Sequence, residues 1–105
     1  MIDYNTEFTK GVLFVRLFGV LNRFNKQDIE NDIFEIIKEG GIRYLVFNTE
    51  NLEIEDDTDL FLNCDMLIKE NDGKMLLCGN NNEIYADSFE CTLDELSALK
   101  LLSVC

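Results

Sequence analysis

The sequence predicts an α/β domain with a mostly parallel sheet of four to five strands, an antiparallel N-terminal edge, and helices packed mainly on one face. Three observations carry this. Two short apolar runs, Tyr44-Leu-Val-Phe47 and Met75-Leu-Leu-Cys78, are bounded by polar residues in the manner of buried central strands. Each follows a segment whose apolar residues recur at helical spacing. The resulting strand–helix–strand–helix–strand order, with short connections, implies right-handed crossovers and parallel pairing.

Taken in order, residues 12–18 (VLFVRLF) alternate between two faces, with Leu13, Val15 and Leu17 on one and Phe14, Arg16 and Phe18 on the other. Residues 4–8 are expected to pair with them as a hairpin across Thr9-Lys10-Gly11. Asn25 is placed to cap a first helix carrying Ile29, Ile33, Phe34, Ile36 and Ile37. Gly40-Gly41 ends that helix by supplying a residue that tolerates positive φ. Strand 44–47 follows, then a second helix from Thr58 to Glu70 with Leu60, Phe61, Cys64, Leu67 and Ile68 facing inward. Asp72-Gly73 turns the chain into strand 75–78. Residues 84–89 read as extended chain. Thr92-Leu-Asp-Glu95 has the form of a capping box, opening a last helix with Leu93, Leu96, Leu99 and Leu102. Residues 1–105 are read as one domain, without repeats, proline or a linker-like stretch.

Composition narrows the function. Twenty-one acidic against nine basic residues give a net charge of −12, which repels phosphate backbones and anionic membranes and favours a protein partner with a basic face. The longest apolar run, Val12 to Val20, is interrupted by Arg16 and is too short to span a bilayer. The opening residues lack the basic and apolar regions of a signal peptide, so the expected location is cytoplasmic. With no histidine there is no Ser–His or Cys–His nucleophile pair. The four cysteines are scattered, so no metal site and no cofactor are expected. No phosphate-binding glycine motif occurs. The carboxylates Glu53, Glu55, Asp56, Asp57 and Asp59 gather at a helix start, where the backbone N–H groups and the helix dipole favour acids without any catalysis. No catalytic residue is assigned.

Residues 42–61 (IRYLVFNTENLEIEDDTDLF) resemble the central signature of the STAS domain, the sulphate-transporter and anti-sigma-factor-antagonist family. Arg43, strand 44–47, Leu52 and Ile54 stand in the expected places, and Asp56-Asp57-Thr58-Asp59 stands where the family has Asp-Ser-Ser-Gly. Residues 11–22 resemble the family's second strand with its Gly-x-Leu-Asp ending, and DELSALKLL resembles its closing helix. The resemblance implies a bacterial anti-anti-sigma factor that docks an anti-sigma factor, itself a serine kinase, or a related regulatory protein, and is released by phosphorylation. By position it makes Thr58 the candidate phosphosite. Asp59 replaces the family's glycine, Asp57 its first serine and Asn22 its aspartate, and only residues 80–91 occupy the place of a further helix.

Two regulatory readings stand side by side: a phosphorylatable antagonist, and a docking module or scaffold that has lost the switch. A third is a small-ligand or lipid carrier using Phe14, Phe18 and Phe24. Docking is expected at the loop 22–25 and the second helix start, because both follow strand C-termini. The residues assigned are Asn22, Arg23, Phe24, Asp56, Asp57, Asp59 and Phe61, with a monomer or weak dimer as the working state.

Overall fold

Alternating apolar residues and a two-residue turn at Lys10-Gly11 build the first hairpin, and both of its strands outrun their expected limits. The structure, a computed structural model, describes residues 2–55, 59–79 and 89–102. Strand β1 is Ile2–Thr9 and β2 is Val12–Leu21, paired antiparallel from Ile2 opposite Gly19 to Thr9 opposite Val12. Helix α1, Lys26–Gly40, returns the chain across the sheet and ends on Gly41, whose φ of 60° and N–H bond to Ile37 O make the expected left-handed cap. Strand β3, Tyr44–Ile54, helix α2, Leu60–Glu70, and strand β4, Lys74–Cys78, complete two crossovers. A two-residue strand β5, Cys91–Thr92, precedes helix α3, Glu95–Leu102.

The sheet order is β1-β2-β3-β4-β5, antiparallel at β1/β2 and parallel at the other three pairings. The expected fold class is therefore the observed one. Leu13, Val15 and Leu17 face α1 and α2 and form the main core with Ile33, Ile37, Phe47, Leu60, Phe61 and Ile68. The rings of Phe47 and Phe61 meet edge to face at 5.0 Å and 75°, the geometry aromatic quadrupoles prefer. Val12, Phe14, Val46, Leu76 and Cys78 face the other way, under Ala98 and Leu102 of α3. Two helices thus share one face and the third covers the opposite one.

Four local expectations are corrected. Asn25 makes no side-chain cap bond to α1, because its amide is used by the preceding loop. β3 continues seven residues past Phe47. The last helix is capped by Asp94 rather than Thr92: the Ser97 N–H donates to Asp94 Oδ1 at 2.8 Å and holds that carboxyl below its ordinary value. Leu93 and Leu96 consequently point to solvent, 71% and 60% exposed, and the inner face of α3 falls to Ala98 and Leu102. Of the stretch expected to be extended, residues 84–88 lie outside the described residues, while Phe89 packs partly buried against the main core. Among the described residues no helix is long and apolar enough to cross a membrane.

Candidate functional site

Leu21, buried at the end of β2, delivers the chain into a four-residue turn locked by two asparagines. Asn22 Oδ1 accepts from the N–H groups of Phe24 and Asn25, at 2.9 and 3.1 Å. In return the Asn22 N–H donates to Asn25 Oδ1 at 3.0 Å, and Asn25 Nδ2 donates to Val20 O at 2.9 Å. Side chains that satisfy their own backbone fix such turns. An aspartate at position 22 would serve the first pair of bonds equally well, so the asparagine leaves the turn intact. Arg23 and Phe24 are held at its tip, where Phe24 is 77% exposed and the Arg23 guanidinium lies 5.0 Å from its ring centroid.

The same end of the molecule carries the start of α2. The Glu55 N–H donates to Leu21 O at 2.9 Å, tying the exit of β3 to that of β2. Asp59 occupies the N-cap position of α2, yet its carboxylate pairs with Lys26 Nζ at the start of α1 instead of closing the cap. That hydrogen bond first, and the charge of Lys26 after it, hold the Asp59 carboxyl below its ordinary value and raise the Lys26 ammonium above its own. One turn further in, Asn63 Nδ2 donates to Glu30 Oε1 at 2.6 Å, a second polar tie between the helices. The turn 22–25 and the first turn of α2 are therefore fixed beside each other.

Of the residues assigned from sequence, Asn22, Arg23, Phe24 and Asp59 come together at this end. Asp56, Asp57 and Thr58 lie outside the described residues. Phe61 is a correction: it is fully buried against Phe47, because 60, 61, 64 and 68 form the inner stripe of α2. Its neighbour Leu62 points outward, 51% exposed. Two of the three residues named for a carrier site, Phe14 and Phe24, have different surroundings. Phe14 is 3% exposed beneath α3, while Phe24 stands on the loop tip.

A polar cluster on the other sheet face was missed. Arg16 donates from Nε and Nη2 to the two carboxylate oxygens of Glu95, both at 2.8 Å, and from Nη2 to Glu7 Oε1 at 3.0 Å. Asn48 Nδ2 donates to Glu95 Oε2, also at 2.8 Å. The signal available was a lone arginine inside an apolar strand, which calls for an acid opposite. The local pattern Thr92-Leu-Asp-Glu95 assigns Glu95 to a capping box instead. The Arg16 hydrogen bonds hold the Glu95 carboxyl below its ordinary value of 4.5. A depressed carboxylate contributes stability that is complete above its ordinary value and lost as pH falls through its lower folded value. Glu95→Gln is expected to cost about 1–2 kcal/mol at pH 7, since hydrogen bonds to charged groups exceed neutral ones by roughly that amount. Urea unfolding at pH 7 and below pH 4 checks this: the gap between wild type and variant narrows in acid.

Among the described residues, the two buried thiols are poorly suited to act as nucleophiles. Burial pushes the Cys64 thiol up strongly and Cys78 up to about 12. Among the described residues no three His, Cys, Asp or Glu side chains converge as a metal site needs.

No family model matches the chain. Solved structures with the same architecture are found among anti-sigma factor antagonists. SpoIIAA in its unphosphorylated form aligns over 98% of this chain and 100% of its own, at 19% identity and a TM-score of 0.80. The phosphorylated form of SpoIIAA, a Bacillus cell fate determinant, aligns over 94% and 99%, at 19% identity and a TM-score of 0.74. A Thermotoga maritima protein described as a putative anti-sigma factor antagonist aligns over 93% and 92%, at 14% identity and a TM-score of 0.83. The chain has the STAS-type fold of these antagonists.

Proposed function

We propose that this chain is a non-catalytic regulator that docks an anti-sigma factor, itself a serine kinase, through the loop 22–25 and the acidic start of α2. The observation that carries the reading is the Lys26–Asp59 pair, which seats the exposed Arg23–Phe24 tip beside the α2 start on this fold. Arginine and exposed aromatic side chains carry much of the energy of protein interfaces. Asp56, Asp57 and Asp59 complement a basic partner face.

Phosphorylation of Thr58 ends the association in this account. SpoIIAA, which shares the fold, is known in phosphorylated and unphosphorylated forms. A phosphate adds about 1.5–2 negative charges and three strongly hydrated oxygens. An interface fitted to a hydroxyl cannot desolvate that group without a large penalty, even where the surrounding field of the partner is positive. A second reading, a constitutive docking module, is favoured by Asp57 and Asp59, which replace the serine and glycine of the family pattern and supply permanent charge.

Incubation with the cognate anti-sigma kinase and ATP separates the two. A mass increase of one phosphate that Thr58→Ala abolishes is expected for the switch. An unchanged mass with an active kinase leaves constitutive docking.

A further inference from the structure

Helix α2 breaks the ordinary amphipathic rule on its outer side. Leu60, Phe61, Cys64 and Ile68 make the buried stripe, yet the opposite ridge carries Leu62 and Met66, 51% and 59% exposed. These residues are one turn apart and stand one above the other. Beside them a shallow cleft of about 240 Å³ runs between α1 and α2, with Phe34, Met66 and Leu67 as its apolar lining and Glu30 and Glu70 as its charged groups. No lysine or arginine lines that cleft. On the α1 side Glu35 and Glu39 continue the acidic border around Phe34. Cations stand around it: Lys38 Nζ, from the next turn of α1, lies 5.9 Å from the centroid of the Phe34 ring, Lys69 pairs with Asp65 at 2.9 Å, and Arg43 lines an adjoining cleft with Leu67 and Glu70. The border of this groove thus already holds an ammonium group against an aromatic face, an attractive arrangement.

We propose that the α1–α2 groove is a second docking surface, which takes a basic amphipathic helix from a partner protein. An apolar ridge at i and i+4 beside a groove is the geometry into which a third helix packs ridge into groove. The acidic border selects lysine and arginine on the flanks of that helix. A second copy of this chain is the wrong occupant, because two surfaces of a protein with a net charge of −12 repel each other. The inference rests on no part of the loop 22–25 docking reading.

The test uses the whole protein, labelled with ¹⁵N, and three synthetic 18-residue peptides. One is an amphipathic Leu/Lys helix, one is a Leu/Glu helix of the same pattern, and one has the Leu/Lys composition in scrambled order. The Leu/Lys helix is expected to shift amide signals of residues 34, 62, 63, 66 and 67 saturably. The scrambled peptide binds at least tenfold more weakly, and the Leu/Glu helix does not bind. Leu62→Ser with Met66→Ser, which removes the ridge without changing charge, weakens the Leu/Lys helix at least fivefold. Equal binding of the scrambled peptide, shifts centred on other elements, or an unaffected Ser/Ser variant would overturn the proposal. A dimer in sedimentation of the peptide-free protein that the Ser/Ser variant abolishes would overturn it in favour of a second copy. Every variant leaves loop 22–25 and residues 56–59 unaltered, so failure here is separate from failure of the kinase experiment.

Discussion

Gly73→Ala is expected to destabilise the protein by about 3 kcal/mol or more, the upper end of what overpacking costs. A Cβ on Gly73 would stand 1.9 Å from Arg43 O and 2.8 Å from Ile68 Cγ2. The obstacle is backbone. Arg43 O is also the acceptor for the Lys74 N–H at 2.8 Å, the bond that starts the β3/β4 ladder, and the Gly73 N–H itself donates to Ile68 O at 3.0 Å. Relieving the clash therefore moves both the end of α2 and the first pair of two central strands. Gly41→Ala is the control. Its φ of 60° is unfavourable for alanine, but nothing lies within 4 Å of the added carbon, so only about 1–2 kcal/mol of backbone strain is expected. Thermal unfolding reads both. For a domain near 100 residues each kcal/mol is worth roughly 4–8 °C, placing Gly73→Ala at least about 12 °C below wild type. Equal midpoints for the two variants would mean that the β3/β4 junction yields easily.

The larger functional effect is expected from reversing charge at the α2 start. Asp57→Lys with Asp59→Lys changes the local charge by four and breaks the Lys26–Asp59 pair that seats the two halves of the site together. A partner surface selected for acids then meets bases. The predicted loss of affinity exceeds tenfold, or about 1.4 kcal/mol. The Coulombic part shrinks with salt, because the screening length falls from about 8 Å at physiological ionic strength to about 3 Å at 1 M. Position 59 is largely exposed, its side chain at 55%, so the folded protein is expected to survive the change.

Much of the fold was legible because the buried strands and helices carry their pattern locally. Residues 44–47 and 75–78 are unbroken apolar runs since both faces of that part of the sheet are covered. The second half of β3 was not legible for the same reason in reverse. β4 accompanies β3 only as far as Asn48, and beyond it the strand tolerates Asn51 and Glu53 on exposed positions. The ends of elements depended on competition for partners. Asp59 looks like a cap but is taken by Lys26, and Glu95 looks like half of a capping box but is taken by Arg16 across 79 residues of sequence. Such long-range choices leave at most a one-sided trace, as the lone Arg16 in its apolar strand does, and do not name the partner. At the candidate site the positions of Arg23 and Phe24 followed from their place after a strand end. That Phe61 is core was legible in the phase of α2, which puts it with Leu60, Cys64 and Ile68; its place beside the helix start suggested the docking face as well, and the packing against Phe47 decides for the core.

The central claim, docking through the loop 22–25 and the α2 start, is tested most directly by titrating the anti-sigma kinase partner with wild type and with the Asp57→Lys, Asp59→Lys variant. Both are measured at 0.15 M and 1 M salt, after their unfolding midpoints have been recorded. The folded variant is expected to bind more than tenfold more weakly at 0.15 M, with the gap narrowing at 1 M. Equal affinity at 0.15 M, with both proteins folded, would contradict docking at this site and move the interface to another face.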